Sequence, residues 1–404
     1  MSGTVVIGAG QAASQLVASL RAEGYAQPIT VIGDEAYPPY QRPPLSKKFL
    51  SGELEEERLY IKPPEFYAQA DTTLVLGGRV EAVDLGPRTV TLANGDSFPY
   101  ETLVFATGSR VRKLTVPGAE LPGIFYLRGI ADVNAIRPHF EPGKHLVIVG
   151  GGYIGLETAA VAAKRGLKVT VVEAMERCLQ RVTSKLMSDF FQEVHHAAGV
   201  TILTSTGVHG FEAGEGGQIV VKNAGDDLVA DLVIAGIGIL PEQALAQSAG
   251  LVCENGIVVD EFARTSDPNV YAAGDCANLP SKLLGRRLRL ESVHNAIEQA
   301  KTAALAIVGK PKPYDDVPWF WSDQYELKLQ IAGISQPEDE VVLRGDPATR
   351  KFAAFYLRNG AVAAVDAINA APEYMIGRMM IAQNKTVDPA RLADLAVPMK
   401  SFMS

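Results

Sequence analysis

The stretch TVVIGAGQAASQLVASL, residues 4–20, decides the fold, because HLVIVGGGYIGLETAAVAAK, residues 145–164, repeats its grammar. Thr4, Val5, Val6 and Ile7 form a short apolar run of strand type. The turn Gly8, Ala9, Gly10 ends it, and a helical pattern through Leu16, Val17 and Leu20 follows. Residues 145–149 run in the same way into Gly150, Gly151 and Gly152, and then into a helical pattern through Ala159, Ala160 and Ala163. A second apolar run closes each copy: residues 29–32 lead to Gly33, Asp34 and Glu35, and residues 168–172 lead to Glu173. Apolar strands alternating with a helix make the βαβ unit of a buried parallel sheet. Two copies predict an α/β chain with two Rossmann-like dinucleotide-binding domains.

Each glycine position has a physical task. Gly8 and Gly150 make the turn, and Gly10 and Gly152 let a pyrophosphate approach the backbone. Ala13 and Gly155 allow close helix–strand packing. The free N–H groups of the helix start then face the phosphates. One such turn is weak evidence; two complete copies, each followed by an acid, are strong. Asp34 and Glu35 in the first copy and Glu173 in the second would accept hydrogen bonds from ribose hydroxyls and repel a 2′-phosphate. The second site is therefore expected to prefer NADH. Arg177 and Arg181 keep the other reading open, because an arginine can bind a 2′-phosphate.

The bulk numbers bound the rest. A chain of 404 residues exceeds one ordinary core and predicts two or three domains. A 47% hydrophobic and 21% charged composition fits a folded globular chain. A net charge of −8 argues against a nucleic-acid binder. Cys178, Cys253 and Cys276 form no CxxC pair, which predicts neither a disulfide framework nor a zinc site. The six histidines show no ligand spacing, so no metal is expected. Adjacent His195 and His196 should point to different faces of a helix. Residues 1–20 carry no charge, yet they lack a basic leader and are broken by Gly3, Gly8 and Gly10. No membrane or targeting segment is expected, and the localisation reads as cytoplasmic.

Residues 102–108 and 230–238 are matching strands that enter glycine turns, and residues 270–275 are again strand-like. From about Val317 the texture changes, with Trp319, Phe320, Trp321 and Tyr325 clustered ahead of short apolar strands. A separate C-terminal α+β domain is predicted from 318 to 404.

The two turns, together with Ala106-Thr107-Gly108 and AAGDC at 272–276, resemble the two-dinucleotide flavoprotein family with a glutathione-reductase-like fold. Within it the chain is similar to the putidaredoxin reductase type of NADH-dependent ferredoxin reductase. The segments that carry this are RPPLSK at 42–47, GGGYIGLE at 150–157, RLESVHNA at 289–296 and PWFWSDQYELKLQIAG at 318–333. The resemblance implies an FAD domain at 1–109 and 239–317 and an NAD domain at 110–238. It implies that Ala12 and Asp34 touch the FAD diphosphate and ribose, and that Val80 lies near the adenine and Arg128 near the dinucleotide. Thr107, Gly108, Gly274 and Asp275 would complete the FAD site, with Gly238 at the matching turn. Val293 would reach the isoalloxazine edge, where many relatives carry tryptophan. Tyr153 and Glu157 would stand beside the nicotinamide, with Ile154 in the same site. Lys47 would lie near the flavin.

The loop QRPPLSKKFL at 41–50 holds cations and no cysteine. A disulfide relay needs a cysteine pair and a peroxidase-type site needs a thiolate, and residues 34–52 supply neither. Electrons are therefore expected to leave the flavin singly, toward a [2Fe-2S] ferredoxin that serves a cytochrome P450 or other oxygenase. Lys47, and after it Arg42, are candidates for stabilising a reduced flavin; the plain alternative is solvated loop charge. Other acceptors stay open: rubredoxin, oxygen, or a signalling role like that of apoptosis-inducing factor. Lys282, Arg286, Arg287 and Arg289, with Arg344, Arg350, Lys351 and Arg358, are candidates for a docking face on a monomer. Trp321 is a candidate near the electron exit, and Trp319 reads as core.

Overall fold

The computed structural model describes residues 3–403. These form two compact units. One comprises the chain up to Gln41, Glu57–Arg110 and Leu240–Pro318. The other comprises Arg42–Glu56, Val111–Ile239 and the chain from Trp319 onward.

The first unit is built on a parallel sheet of five strands. Its spatial order is Val270–Ala272, Thr102–Phe105, Thr4–Ile7, Ile29–Gly33, Thr72–Leu76. The central strand is buried along its length, as an all-apolar run in a covered parallel sheet must be. Gly8 follows it at φ +107°, and a Cβ there would lie 2.1 Å from the Ala106 carbonyl oxygen, so only glycine fits. The helix Gln11–Ala22 then buries Ala12, Ala13, Leu16, Val17 and Leu20. These share a core with Ala296, Ala300, Ala303 and Ala304 of the helix Val293–Ile307. Alanine on both faces lets the two backbones approach closely.

The second unit repeats the plan. Its parallel sheet runs Thr201–Leu203, Lys168–Val172, His145–Val149, Leu232–Ala235, Ile124–Tyr126. Gly150, at φ +112°, takes the part of Gly8. The matched segments 102–108 and 230–238 do flank the central strand of each sheet. The fifth place differs: a strand late in the chain fills it in the first unit, and Ile124–Tyr126, upstream of the glycine turn, fills it in the second.

The tail is an antiparallel sheet in the order Trp319–Gln324, Leu327–Gly333, Ala361–Ile368, Lys351–Arg358, Glu340–Asp346, with the helix Ala371–Ala382 against it. It belongs to the second unit and is joined there by a buried polar knot. The Asp366 carboxylate accepts from Thr183 Oγ1 at 2.5 Å and from the Tyr356 hydroxyl at 2.6 Å. Burial raises the Asp366 pKa to about 6, against the two hydrogen bonds that lower it. A carboxyl raised in this way adds stability that is fully present below its ordinary pKa and is lost as pH rises through about 6. Urea unfolding of wild type and Asp366→Asn at several pH values should show this. The wild-type advantage should fall by up to about 3 kcal/mol between about pH 4 and pH 7.

Candidate functional site

In the first unit the glycine turn and the AAGDC segment come together. Gly274 sits at φ +87°, and a Cβ there would be 3.5 Å from the Ala12 Cβ. Its N–H donates to Gln299 Oε1 at 2.7 Å. The Ser109 hydroxyl donates to Asp275 Oδ2 at 2.7 Å. Thr107 Oγ1 donates to the Glu242 carbonyl at 2.6 Å, and Gly108 accepts from the Glu242 N–H at 2.9 Å. Val80 is half-buried at the start of the strand Val80–Asp84, and Val293 is half-buried at the first residue of its helix. Asp34 is exposed, while Glu35 accepts from the Tyr40 hydroxyl at 2.6 Å. By strand register the residue matching Glu173 is Gly33, so the acid of the first copy stands one residue later.

In the second unit Glu173 occupies the end of its strand. Its carboxylate accepts from the Gly151 N–H at 2.7 Å and from the Met175 N–H at 2.8 Å. Arg177 is committed elsewhere, to the carbonyls of Thr183, Ser184 and Gln180 and to Ser188. That removes it as a phosphate ligand; Arg181 remains exposed. Gly238, at φ +107°, accepts from the Arg112 N–H at 2.9 Å. Arg42 donates to the Arg128 carbonyl at 2.7 Å, and the Arg128 and Gly129 N–H groups share Asp132 at 2.8 Å each. Arg42 therefore braces the Arg128 turn.

The helix Tyr153–Lys164 carries the most telling group. Glu157 is only 4% exposed and Lys47 Nζ lies 2.7 Å from its Oε2. Ser46 donates to the same oxygen at 2.5 Å, and Ser322 donates to Oε1 at 2.6 Å. Lys47 is therefore no solvated loop charge, whereas Lys48 is exposed. Tyr153 packs its ring 5.0 Å from Phe320. Burial, and after it the negative charge of Asp366, pushes the Tyr153 hydroxyl well above its ordinary range. Ile154 projects outward at 42% exposure in the first helical turn.

The residues fit dinucleotides at both turns. A Cβ at Gly10 or Gly152 would meet no protein atom within 4 Å, so packing alone does not require glycine there. Tyr153 Oη and Gln299 Nε2 are buried with no hydrogen-bond partner. Sequence reasoning missed Ser46, Ser322 and Gln299 as site residues, although the first two lie inside the RPPLSK and PWFWSDQYEL segments.

Several expected docking cations are used internally. Arg287 donates to the carbonyls of Val259 and Asn278, and Arg289 pairs with Glu291 at 2.6 Å. Arg344 is buried against the carbonyls of Leu392, Asp394 and Val397, and Arg358 pairs with Asp339 at 2.8 Å. Arg350 pairs with Glu326. Lys282, Arg286 and Lys351 are exposed, Lys282 within 3.8 Å of Asp315, and Arg287 and Arg350 keep exposed surface despite these bonds. Among the described residues, one group with metal-ligating side chains is assembled, His294, Glu298 and Asp316, with ligand atoms within 4.8 Å of one another. No helix among them is long and apolar enough to cross a membrane.

Residues 3–300 match the pyridine nucleotide-disulphide oxidoreductase family, and residues 319–403 match the reductase C-terminal domain. The chain belongs to this family and is an oxidoreductase that uses FAD and NAD(H). It is 43% identical to the ferredoxin reductase subunit of 5,5′-dehydrodivanillate O-demethylase from Sphingobium sp., covering 98% of this chain and 97% of that protein. It is 40% identical to putidaredoxin reductase from Pseudomonas putida, over 99% of this chain and 96% of that protein. Its structure matches the reductase of the covalent putidaredoxin reductase–putidaredoxin complex with a TM-score of 0.96 and 40% identity, covering 100% of this chain and 98% of that one.

Gly10→Ala and Gly152→Ala should fold normally, since each added methyl enters open space. Flavin retention should fall in the first and the NADH Kd should rise about tenfold in the second, measured by absorbance and by titration. Gly155→Ala should instead lower the unfolding temperature, because its Cβ would lie 2.2 Å from the Gly150 carbonyl oxygen.

Proposed function

We propose that the chain is an NADH-dependent ferredoxin reductase that supplies single electrons to a [2Fe-2S] ferredoxin of a cytochrome P450 or other oxygenase system. The observation that carries this reading is the state of its thiols. Burial holds Cys178 up to about 12, with the Glu173 charge adding to it, and burial also raises Cys253 and Cys276. A thiol kept protonated is a poor nucleophile, and none of the three lies in the loop at 34–52. The relatives named above serve ferredoxins, and their likeness spans the whole chain. Bound FAD would supply the redox chemistry, accepting a hydride from NADH and releasing electrons singly.

This chain's residues supply position and charge. Gly10, Ala12, Ala13, Thr107, Gly108, Gly274 and Asp275, with Asp34, Glu35 and Val80, would hold the FAD. Gly150, Gly152, Tyr153, Ile154, Gly155 and Glu173 would hold the nicotinamide cofactor, and Glu173 would disfavour a 2′-phosphate. Lys47 is the cation assigned to the charge that a flavin gains on reduction, and Glu157 fixes its ammonium group. Arg42 braces the Arg128 turn. Residues 1–109 with 239–317, 110–238 and 318–404 serve as the FAD, NAD and tail parts.

NADH-driven reduction of purified [2Fe-2S] ferredoxins tests the reading. NADH should outperform NADPH, and failure with every ferredoxin but success with a rubredoxin or with oxygen would reassign the acceptor. Lys47→Ala should slow flavin reduction by at least about tenfold and shift the flavin potential, because it removes the charge partner of the buried Glu157. Lys48→Ala should stay within about twofold of wild type. Lys47→Met combined with Glu157→Gln should recover stability without recovering rate, since it removes the stranded buried carboxylate.

A further inference from the structure

Ser322, which holds Glu157, is itself held. Gln324 Nε2 donates to Ser322 Oγ at 3.3 Å, and His195 Nε2 lies 2.8 Å from Gln324 Oε1. The other ring nitrogen, His195 Nδ1, lies 3.0 Å from the Tyr325 hydroxyl. His195 is 0% exposed, Ser322 and Gln324 are 1% exposed each, and all these residues belong to the second unit. A row of polar groups thus runs from half-buried Tyr325, through the interior, to the carboxylate that pairs with Lys47.

The direction of every bond in this row follows from its end. An ionised carboxylate only accepts, so the Ser322 hydroxyl must donate to Glu157. Ser322 Oγ then accepts from the Gln324 amide nitrogen, which turns Gln324 Oε1 toward His195. That oxygen only accepts, so His195 carries its proton on Nε2. Nδ1 is left as an acceptor for the Tyr325 hydroxyl. Burial holds the imidazole pKa down to about 4, which keeps the ring neutral and able to play both parts. Tyr325 itself sits at φ +55°, a left-handed conformation uncommon for a bulky residue, in the turn between the strands Trp319–Gln324 and Leu327–Gly333. Strain of this sort persists where surrounding contacts over-determine it.

We propose that Gln324 and His195 are positioning residues for hydride transfer: a one-way chain of donors from Tyr325 through His195, Gln324 and Ser322 orients and polarises the Glu157 carboxylate that fixes Lys47. The proposal rests on the ferredoxin reductase reading for the identity of the reaction. A glutamine amide does not pass protons readily, so the chain acts by orientation and cooperative polarisation rather than as a proton wire.

Two measurements on the flavin-loaded enzyme test it. The first is the ring nitrogen signature of His195 by NMR, assigned by its loss in His195→Gln. The neutral Nε2–H form is expected at neutral pH, and the Nδ1–H form would overturn the proposal, because it reverses the chain. The second is stopped-flow reduction of the flavin by NADH in Gln324→Met. The rate per bound flavin at saturating NADH should drop about tenfold, the upper end of what one hydrogen bond contributes, while the NADH Kd stays within about twofold. Ser322→Ala, a smaller change, should give the same split. An unchanged rate per flavin in the variants, whatever their stability, would show a merely structural role and overturn the proposal. If wild type itself reduces no ferredoxin, the functional reading fails while the effect on flavin reduction still stands or falls alone.

Discussion

A carboxylate taken out of water must be paired and hydrogen-bonded or it will not stay charged. Glu157 meets that demand with three partners, Lys47, Ser46 and Ser322, drawn from segments far apart in the sequence. The demand accounts for much of the second unit's construction. It draws the Arg42–Glu56 loop out of the unit that holds the chain on either side of it. The same loop is fastened elsewhere by Arg137, which donates to the Phe49 carbonyl at 2.6 Å, and by Arg165, which donates to the Ser51 carbonyl at 2.7 Å. It also seats the first strand of the tail against the nucleotide-binding helix.

Local chemistry made the two βαβ units legible. Apolar runs such as VVI and LVIV can only be buried strands when a glycine turn and a helical pattern follow, and the positive φ of Gly8 and Gly150 confirms those turns. The place of Ile124–Tyr126 in its sheet was not legible, because strand order depends on tertiary connection rather than on local pattern. The fates of the arginines were not legible either. Arg286 and Arg287 are neighbours of the same type, yet one is free on the surface and the other closes onto two backbone carbonyls. The partners of Glu157 lie 111 and 165 residues away, and His195 meets Gln324 across 129 residues. Such contacts leave no trace in spacing. The opposite faces of His195 and His196 were legible, since helical geometry alone separates adjacent residues: one is buried and the other exposed.

The site's chemistry follows from what is charged and what is kept neutral. Glu173 presents a carboxylate at a strand end, and Arg177, which could have offset it, is absorbed by loop carbonyls. Lys47 supplies the cation of the Glu157 cluster. All three thiols are pushed toward the protonated form by burial. The pyridine nucleotide-disulphide oxidoreductase plan is retained here without a cysteine in the loop at 34–52.

Anaerobic titration of the flavin-loaded enzyme with NADH tests most directly whether the flavin is the only redox centre of the chain. Full bleaching of the flavin at about one equivalent of NADH per bound flavin, with no further uptake of electrons, is the predicted result. Uptake of about two equivalents would reveal a second two-electron centre, a disulfide among Cys178, Cys253 and Cys276, and would contradict direct delivery of electrons from the flavin to a ferredoxin.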